Sequence, residues 1–194
     1  MTGDEFAAVL SRAQAGDDAA FVRLWRETQP VLLRFLTVRA PDLAEDVAAE
    51  TWMAALPALR DFTGGEGAFR GWLVAISRNK LVDARRRAGR RPEQLVAAPV
   101  ESGPAEADTA DVVLEREATQ RALRLIAELP PDVAEMVALR VVVGLDVSEV
   151  AGIVGKSPGA VRVAVHRGLR RLAGAISAPD VTPATLSTIQ GRHD

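Results

Sequence analysis

Residues 145–171 read LDVSEVAGIVGKSPGAVRVAVHRGLRR, and the rest of the chain is best read outward from them. Asp146 is followed three residues on by Glu149, the spacing of a capping box with Asp in place of a hydroxyl residue. Val150, Ala151 and Val154 give the short helix that follows an apolar face. Gly155 stands where a tight interhelical turn needs a residue free to take positive φ. Ser157 is placed to cap a second helix, and Pro158 at its first position already holds a helical φ. Val161, Val165, Leu169, Leu172 and Ile176 recur at spacings of three and four and predict one buried stripe. At about 100° per residue, Arg162, His166, Arg167, Arg170 and Arg171 fall on the other half-turn. This is the pattern of a helix-turn-helix with an apolar back and a guanidinium-rich front. Arginine grips phosphate, or reaches guanine O6 and N7 with two bonds in the major groove. The bland alternative is a solvated basic face on an ordinary bundle helix. Turn, cap and basic face coincide here, which favours DNA reading.

Composition sets the frame around this motif. The 194 residues suffice for one large domain or two small ones, and 48% are hydrophobic, enough for a packed core. Good helix formers dominate, while five Phe, three Trp and no Tyr argue against a β-rich fold. No cysteine is present, which excludes disulfides, thiolate zinc sites and cysteine nucleophiles and fits a cytoplasmic address. No stretch approaches the roughly 20 apolar residues of a membrane span. The acidic start does not read as a signal peptide, so a soluble, internal protein without membrane insertion is expected. The net charge of −2 hides a segregation. Residues 69–91 hold eight bases and one acid, residues 156–171 five bases and no acid, and residues 92–117 seven acids and one Arg. Because charges are screened beyond roughly 10 Å, the two basic patches act locally whatever the sum.

Four further helices are expected ahead of the basic patch's end. One spans residues 4–14. A second carries Phe21, Leu24, Trp25, Leu32, Phe35 and Leu36, with Asp17 as its N-cap. Pro41 breaks the chain and Asp42 is expected to cap a third helix, residues 43–59. A glycine-rich loop, residues 61–67, precedes a fourth helix whose Phe69, Trp72, Leu73 and Ile76 form a buried face. Residues 92–108 lack periodicity and read as a flexible, self-repelling linker. Helicity returns near Asp111, with Leu114, Ala118, Ala122, Leu125 and Leu129 as a stripe stopped at Pro130-Pro131. A helix over residues 133–143, closed by Gly144, leads into the helix-turn-helix. The expected organisation is a first domain over residues 1–91, a linker over 92–110, a second domain over 111–177 and a tail over 178–194. In the tail, Thr182-Pro183 is suited to start one more turn.

From about Glu5 to Ile176 the sequence resembles the extracytoplasmic-function (ECF) group of sigma-70-family RNA polymerase sigma factors. The motifs that carry the resemblance are residues 15–21 (AGDDAAF), 42–52 (DLAEDVAAETW), 62–64 with 69–73 (FTG, FRGWL), 76–79 (ISRN) and 83–87 (DARRR). Leu129-Pro130, Leu139-Arg140 and Gly144-Leu145 then lead into residues 159–162 and His166-Arg167. The resemblance implies an all-α fold: a region 2 helical bundle and a region 4 helix-turn-helix joined by a flexible acidic linker. It implies a sigma factor that binds core RNA polymerase and directs transcription from −35 and −10 elements.

What the resemblance implies for single residues follows motif by motif. Asp42, Glu45, Asp46, Glu50 and Trp52 are implied to meet the β′ clamp coiled coil of core polymerase, with the β flap as a second docking point. Ala49 stands where the family often has Gln. Phe62, Gly64, Arg70, Arg78, Asn79, Lys80 and Arg86 are implied to contact the −10 element. Phe62 would wall a pocket for a base flipped from the stack, and Asn79 offers both donor and acceptor to a base edge. The loop is one residue longer than its common form. Arg140, Ser157, Pro158, Arg162, Val163, His166, Arg167 and Arg170 are implied to meet the −35 duplex. Val163 replaces a common Ser and suits a thymine methyl. Promoter DNA and an anti-sigma factor are the other expected partners. No Walker loop, catalytic triad or metal-ligand spacing is evident, so neither enzyme activity nor a cofactor is expected. The rival reading is a stand-alone helix-turn-helix regulator that binds duplex DNA without polymerase.

Overall fold

The computed structural model describes residues 1–90 and 110–177, and the described residues are helical with no strand. The expected linker, the tail and the Thr182-Pro183 turn lie outside the described residues. Helix α1 (Gly3–Gln14) opens on a capping box between Thr2 and Glu5. Helix α2 (Asp18–Arg39) is capped by Asp17, whose carboxylate accepts from the Ala20 N–H. Pro30 lies inside α2 and removes one donor without ending the helix. Ala40 leaves the helical region at φ −165°, as expected for a residue ahead of proline.

Asp42 does not cap α3. Pro41 starts a 3₁₀ turn (Pro41–Leu43) that takes Asp42 into its interior, and Leu43 precedes α3 (Ala44–Ala58) with no side-chain cap. A second 3₁₀ turn, Leu59–Asp61, leads through the glycine loop to α4 (Glu66–Arg90). The core of this half holds Phe6, Leu24, Leu32, Phe35, Leu36, Val47, Phe69 and Leu73, each at most 1% exposed. Phe69 sits at its centre, with the rings of Phe6, Phe62, Trp72 and Trp52 within 6.4 Å.

The second half has helices α5 (Ala110–Ala127), α6 (Pro131–Val137), α7 (Val147–Val154) and α8 (Pro158–Ser177). Helix α5 buries Leu123 and Ile126, and Leu129 just beyond its end is buried too, whereas Leu114, Ala118 and Ala122 are exposed. The stripe is therefore displaced from the expected one, because α5 packs on α2 as well as on α6 and α8. The helix expected over residues 133–143 is also two pieces. Helix α6 passes into a π turn, Ala138–Val142, and Gly144 ends it at φ +82°.

The two halves touch. Helix α2 packs on α5 and α6, α4 packs on α7, and a continuous cluster of buried side chains runs through both.

Candidate nucleic-acid interface

The helix-turn-helix forms as its local chemistry dictates. Asp146 accepts from the Ser148 and Glu149 N–H groups at 2.7 and 2.8 Å, and the Glu149 carboxylate accepts from the Asp146 N–H at 2.7 Å. Gly155 closes α7 at φ +67°, a left-handed conformation that favours glycine. The Ser157 hydroxyl accepts from the Ala160 N–H at 3.2 Å. Lys156, in the turn, lies 3.3 Å from Asp132.

Helix α8 then separates its faces. Val161 is fully buried, and Ala164, Val165 and Leu172 are half-buried. Leu169, expected in the stripe, is 43% exposed; its neighbour Gly168 is buried instead. A methyl group at Gly168 would lie 2.7 Å from Val137 Cγ2 and 2.9 Å from Val133 Cγ1, so α6 and α8 cross where a β-carbon would force the valines aside. The periodicity of large apolar residues carries no trace of this contact. The signal available was the glycine itself, in the middle of a helix where propensity disfavours it.

Ser157, Pro158, Arg162, Val163, His166, Arg167 and Arg170 are all exposed. They share the outward side of the turn and α8. Arg140 stands apart: its guanidinium donates to the Leu145 carbonyl and holds the chain as it turns from the π segment into α7.

On α4 and the loop before it the expected residues divide. Phe62 is half-buried, 5.3 Å from the Phe69 ring and 5.1 Å from that of Trp72. Gly64 has φ +146° and lies against Phe62 and Ala68. The loop is tied down by Gln14, whose amide donates to the Leu59 carbonyl at 3.0 Å and the Phe62 carbonyl at 2.8 Å. Sequence reasoning assigned Gln14 no role, and no motif marks it. Asn79 and Arg86 are exposed and Lys80 half-buried. Arg70 and Arg78 point into the second half instead. Arg70 donates to Glu66 and, at 3.1 Å, to the Val143 carbonyl. Arg78 donates to the Ile153 carbonyl and, at 2.7 Å, to Glu135.

The acidic side of α3 keeps Asp42, Glu45 and Asp46 exposed. Glu50 is half-buried and accepts two bonds from Arg87, at 2.7 and 2.9 Å. Trp52 is not on this surface. It is 7% exposed, its Nε1 donates to Gln29 at 2.7 Å, and Phe21 meets it edge-on. Two carboxyls elsewhere are held below their ordinary range: Asp17 by the Ala20 N–H and Arg12, and Glu5 by Arg23 and the Thr2 N–H. Both serve α1 and α2 rather than a site.

Two family models match the sequence half by half: Sigma-70 region 2 over residues 24–91, and Sigma-70, region 4 over residues 119–172. The ECF RNA polymerase sigma factor SigD of Mycobacterium tuberculosis is 34% identical over 178 residues, covering 89% of this chain and 84% of that protein. The chain belongs to the ECF RNA polymerase sigma factors. A second relative, the ECF sigma factor ShbA of Streptomyces griseus, is 35% identical over 186 residues, covering 89% of this chain and 97% of its own. Among solved structures, the fold is shared with the sigma factor RpoE bound to the anti-sigma factor NepR from Bartonella quintana. That likeness has a TM-score of 0.57 at 23% identity and covers 82% of this chain and 98% of that one. CnrH in complex with the cytosolic domain of CnrY gives a TM-score of 0.59 at 22% identity, over 90% and 99% of the two chains.

The region 4 match of this sigma factor contains the whole helix-turn-helix, and the region 2 match contains α3, the glycine loop and α4. As a sigma factor it is a transcription initiation factor that acts with RNA polymerase. Among the described residues no helix is long and apolar enough to cross a membrane, and no group of His, Cys, Asp and Glu is placed to hold a metal.

Proposed function

We propose that this sigma factor divides the promoter between its two halves, residues 1–91 and 111–177, and anchors to core polymerase through a third surface. Helix α8 and the turn before it read the −35 duplex through Arg162, Val163, His166, Arg167 and Arg170, with Ser157 and Pro158 against the backbone and Arg140 bracing the turn. The glycine loop and α4 take the −10 element. Phe62 and Gly64 shape the pocket for an extruded base, Asn79 meets its edge, and Arg70, Arg78, Lys80 and Arg86 hold phosphates. Asp42, Glu45, Asp46 and Glu50 meet the β′ clamp, where arginines would complement them. Trp52 supports that surface from the core, while the β flap receives the second half.

The observation that carries this reading is the exposed basic face of α8 behind a fully capped turn. Unstacking a base costs a few kcal/mol, so binding energy opens the duplex and no nucleotide hydrolysis is needed. The protein is accordingly a cytoplasmic binding subunit and not an enzyme, works without a cofactor, and is restrained by an anti-sigma factor, as two of its structural neighbours are seen bound to other proteins.

The test separates the surfaces. Asp46→Ala with Glu50→Ala should lower retention on immobilised core polymerase and leave binding to a −35 duplex unchanged. Arg167→Ala should do the reverse. Polymerase retention that ignores the acidic pair would place the anchor on another surface.

A further inference from the structure

Helices α2 and α5 leave a cavity between them of about 560 Å³, within the range of small-molecule sites. On α5 its lining runs from Glu115 to Arg124, roughly 13 Å at about 1.5 Å rise per residue. Leu123 lines it from this side, and Leu33 and Pro41 from the other, so its floor is apolar. Thr37, also on the α2 side, offers no free donor: its hydroxyl is spent on the Leu33 carbonyl at 2.8 Å.

Positive charge gathers at the same place. Arg34, Arg116 and Arg124 line the cavity against one carboxylate, that of Glu115. Elsewhere on α2 the arginines have counter-ions within the fold: Arg23 holds Glu5, and Arg39 lies 3.6 Å from Glu135. Arg34 and Arg124 make no ion pair or hydrogen bond among the described residues. Guanidiniums that share a cavity without a counter-ion repel each other, and an anion between them turns that repulsion into attraction.

The two features together select a class of ligand. Inorganic phosphate would meet the guanidiniums and leave Leu33, Pro41 and Leu123 in contact with water. A neutral hydrocarbon would cover the floor and leave the charges unmatched. Only a molecule with both parts uses the whole lining.

We propose that this cavity binds an amphipathic anion: an alkyl chain carrying a carboxylate or phosphate head. The chain lies on Leu33, Pro41 and Leu123, and the head is taken by Arg34 and Arg124 through charge-assisted bonds. The occupant touches α2 of the first half and α5 of the second, so its binding stabilises the folded chain by mass action. The proposal does not rest on the promoter reading, and its test needs neither DNA nor polymerase.

The experiment is calorimetric titration of the full chain with decanoate, decyl phosphate, decanol and inorganic phosphate, each below any micelle concentration. Saturable binding of decanoate or decyl phosphate at a single site is expected, and the preference between them identifies the head group. Decanol and inorganic phosphate should bind far more weakly. Arg34→Gln with Arg124→Gln should lower the affinity about tenfold or more, through loss of the charge-assisted bonds. Thr37→Trp, at an exposed position on the cavity wall, should block binding by filling the space. Arg26→Gln, at an exposed position of α2 outside the cavity, should leave binding unchanged. Circular dichroism checks that each variant keeps its helices, and saturating decanoate should raise the melting temperature of the parent but not of the double variant. Binding that survives both the double substitution and Thr37→Trp, or that decanol matches, would overturn the proposal. So would the failure of both alkyl anions to bind. Capture of an acidic amphipathic peptide in their place would also overturn it and make the cavity a protein-docking groove.

Discussion

At Gly168 the absent side chain sets the distance between α6 and α8, and hence the pose of the basic face of α8. Gly168→Ala should destabilise the protein by about 1–3 kcal/mol, since overpacking against two β-branched valines outweighs the helix propensity gained. Thermal unfolding measures this, and a rise in melting temperature would contradict it. On the opposite face, Arg167→Ala should weaken binding to a −35 duplex by about 1–3 kcal/mol, with a smaller loss on unrelated duplexes. An equal loss on every sequence would make Arg167 a phosphate contact. At this scale the exposed residues were legible in the sequence because charge predicts exposure: Arg162, His166, Arg167 and Arg170 lie where periodicity put them. Trp52 and Leu169 were not legible. Each depends on which neighbour fills the space, which spacing along one helix does not encode.

Among elements, the capped turn between α7 and α8 was the most legible, because each of its side-chain caps spans three residues or fewer. Asp146→Ala removes both carboxylate bonds at the start of α7 and should cost about 1 kcal/mol in chemical denaturation. The failed expectations at this scale differ in cause. Pro41 started a 3₁₀ turn that took in Asp42, whereas the α5 stripe was displaced by contacts with α2, which the local sequence does not record. The junction of α1 and α2 gives a pH dependence. Asp17 and Glu5 have folded values below their ordinary ones, so their stabilisation is complete above the ordinary carboxylate range and is lost as pH falls through the lowered values. Asp17→Asn should therefore flatten the acid limb of the melting-temperature profile. The loop before α4 depends on Gln14 at the end of α1. Gln14→Ala should loosen it, and Asn79→Ala on α4 should remove the group proposed to meet the extruded base. Each should slow open-complex formation, measured by permanganate footprinting, and leave duplex binding intact.

For the whole molecule, the two-part organisation and the all-α class were readable from charge segregation, helix spacing and turn chemistry. The mutual packing of the halves was not, because Arg39, Arg78 and Glu135 are separated by dozens of residues and nothing in their spacing signals a pairing. That packing leaves the acidic face of α3 and the basic face of α8 open together. The central claim is that these surfaces give polymerase a choice of promoter. It is tested most directly by transcribing a genomic DNA library with core RNA polymerase, alone and with the purified protein, and mapping transcript 5′ ends. The account predicts a discrete set of new start sites sharing one −35 and one −10 motif, lost with Arg167→Ala or with the Asp46 and Glu50 substitutions. Start sites indistinguishable from those of core polymerase alone would contradict it.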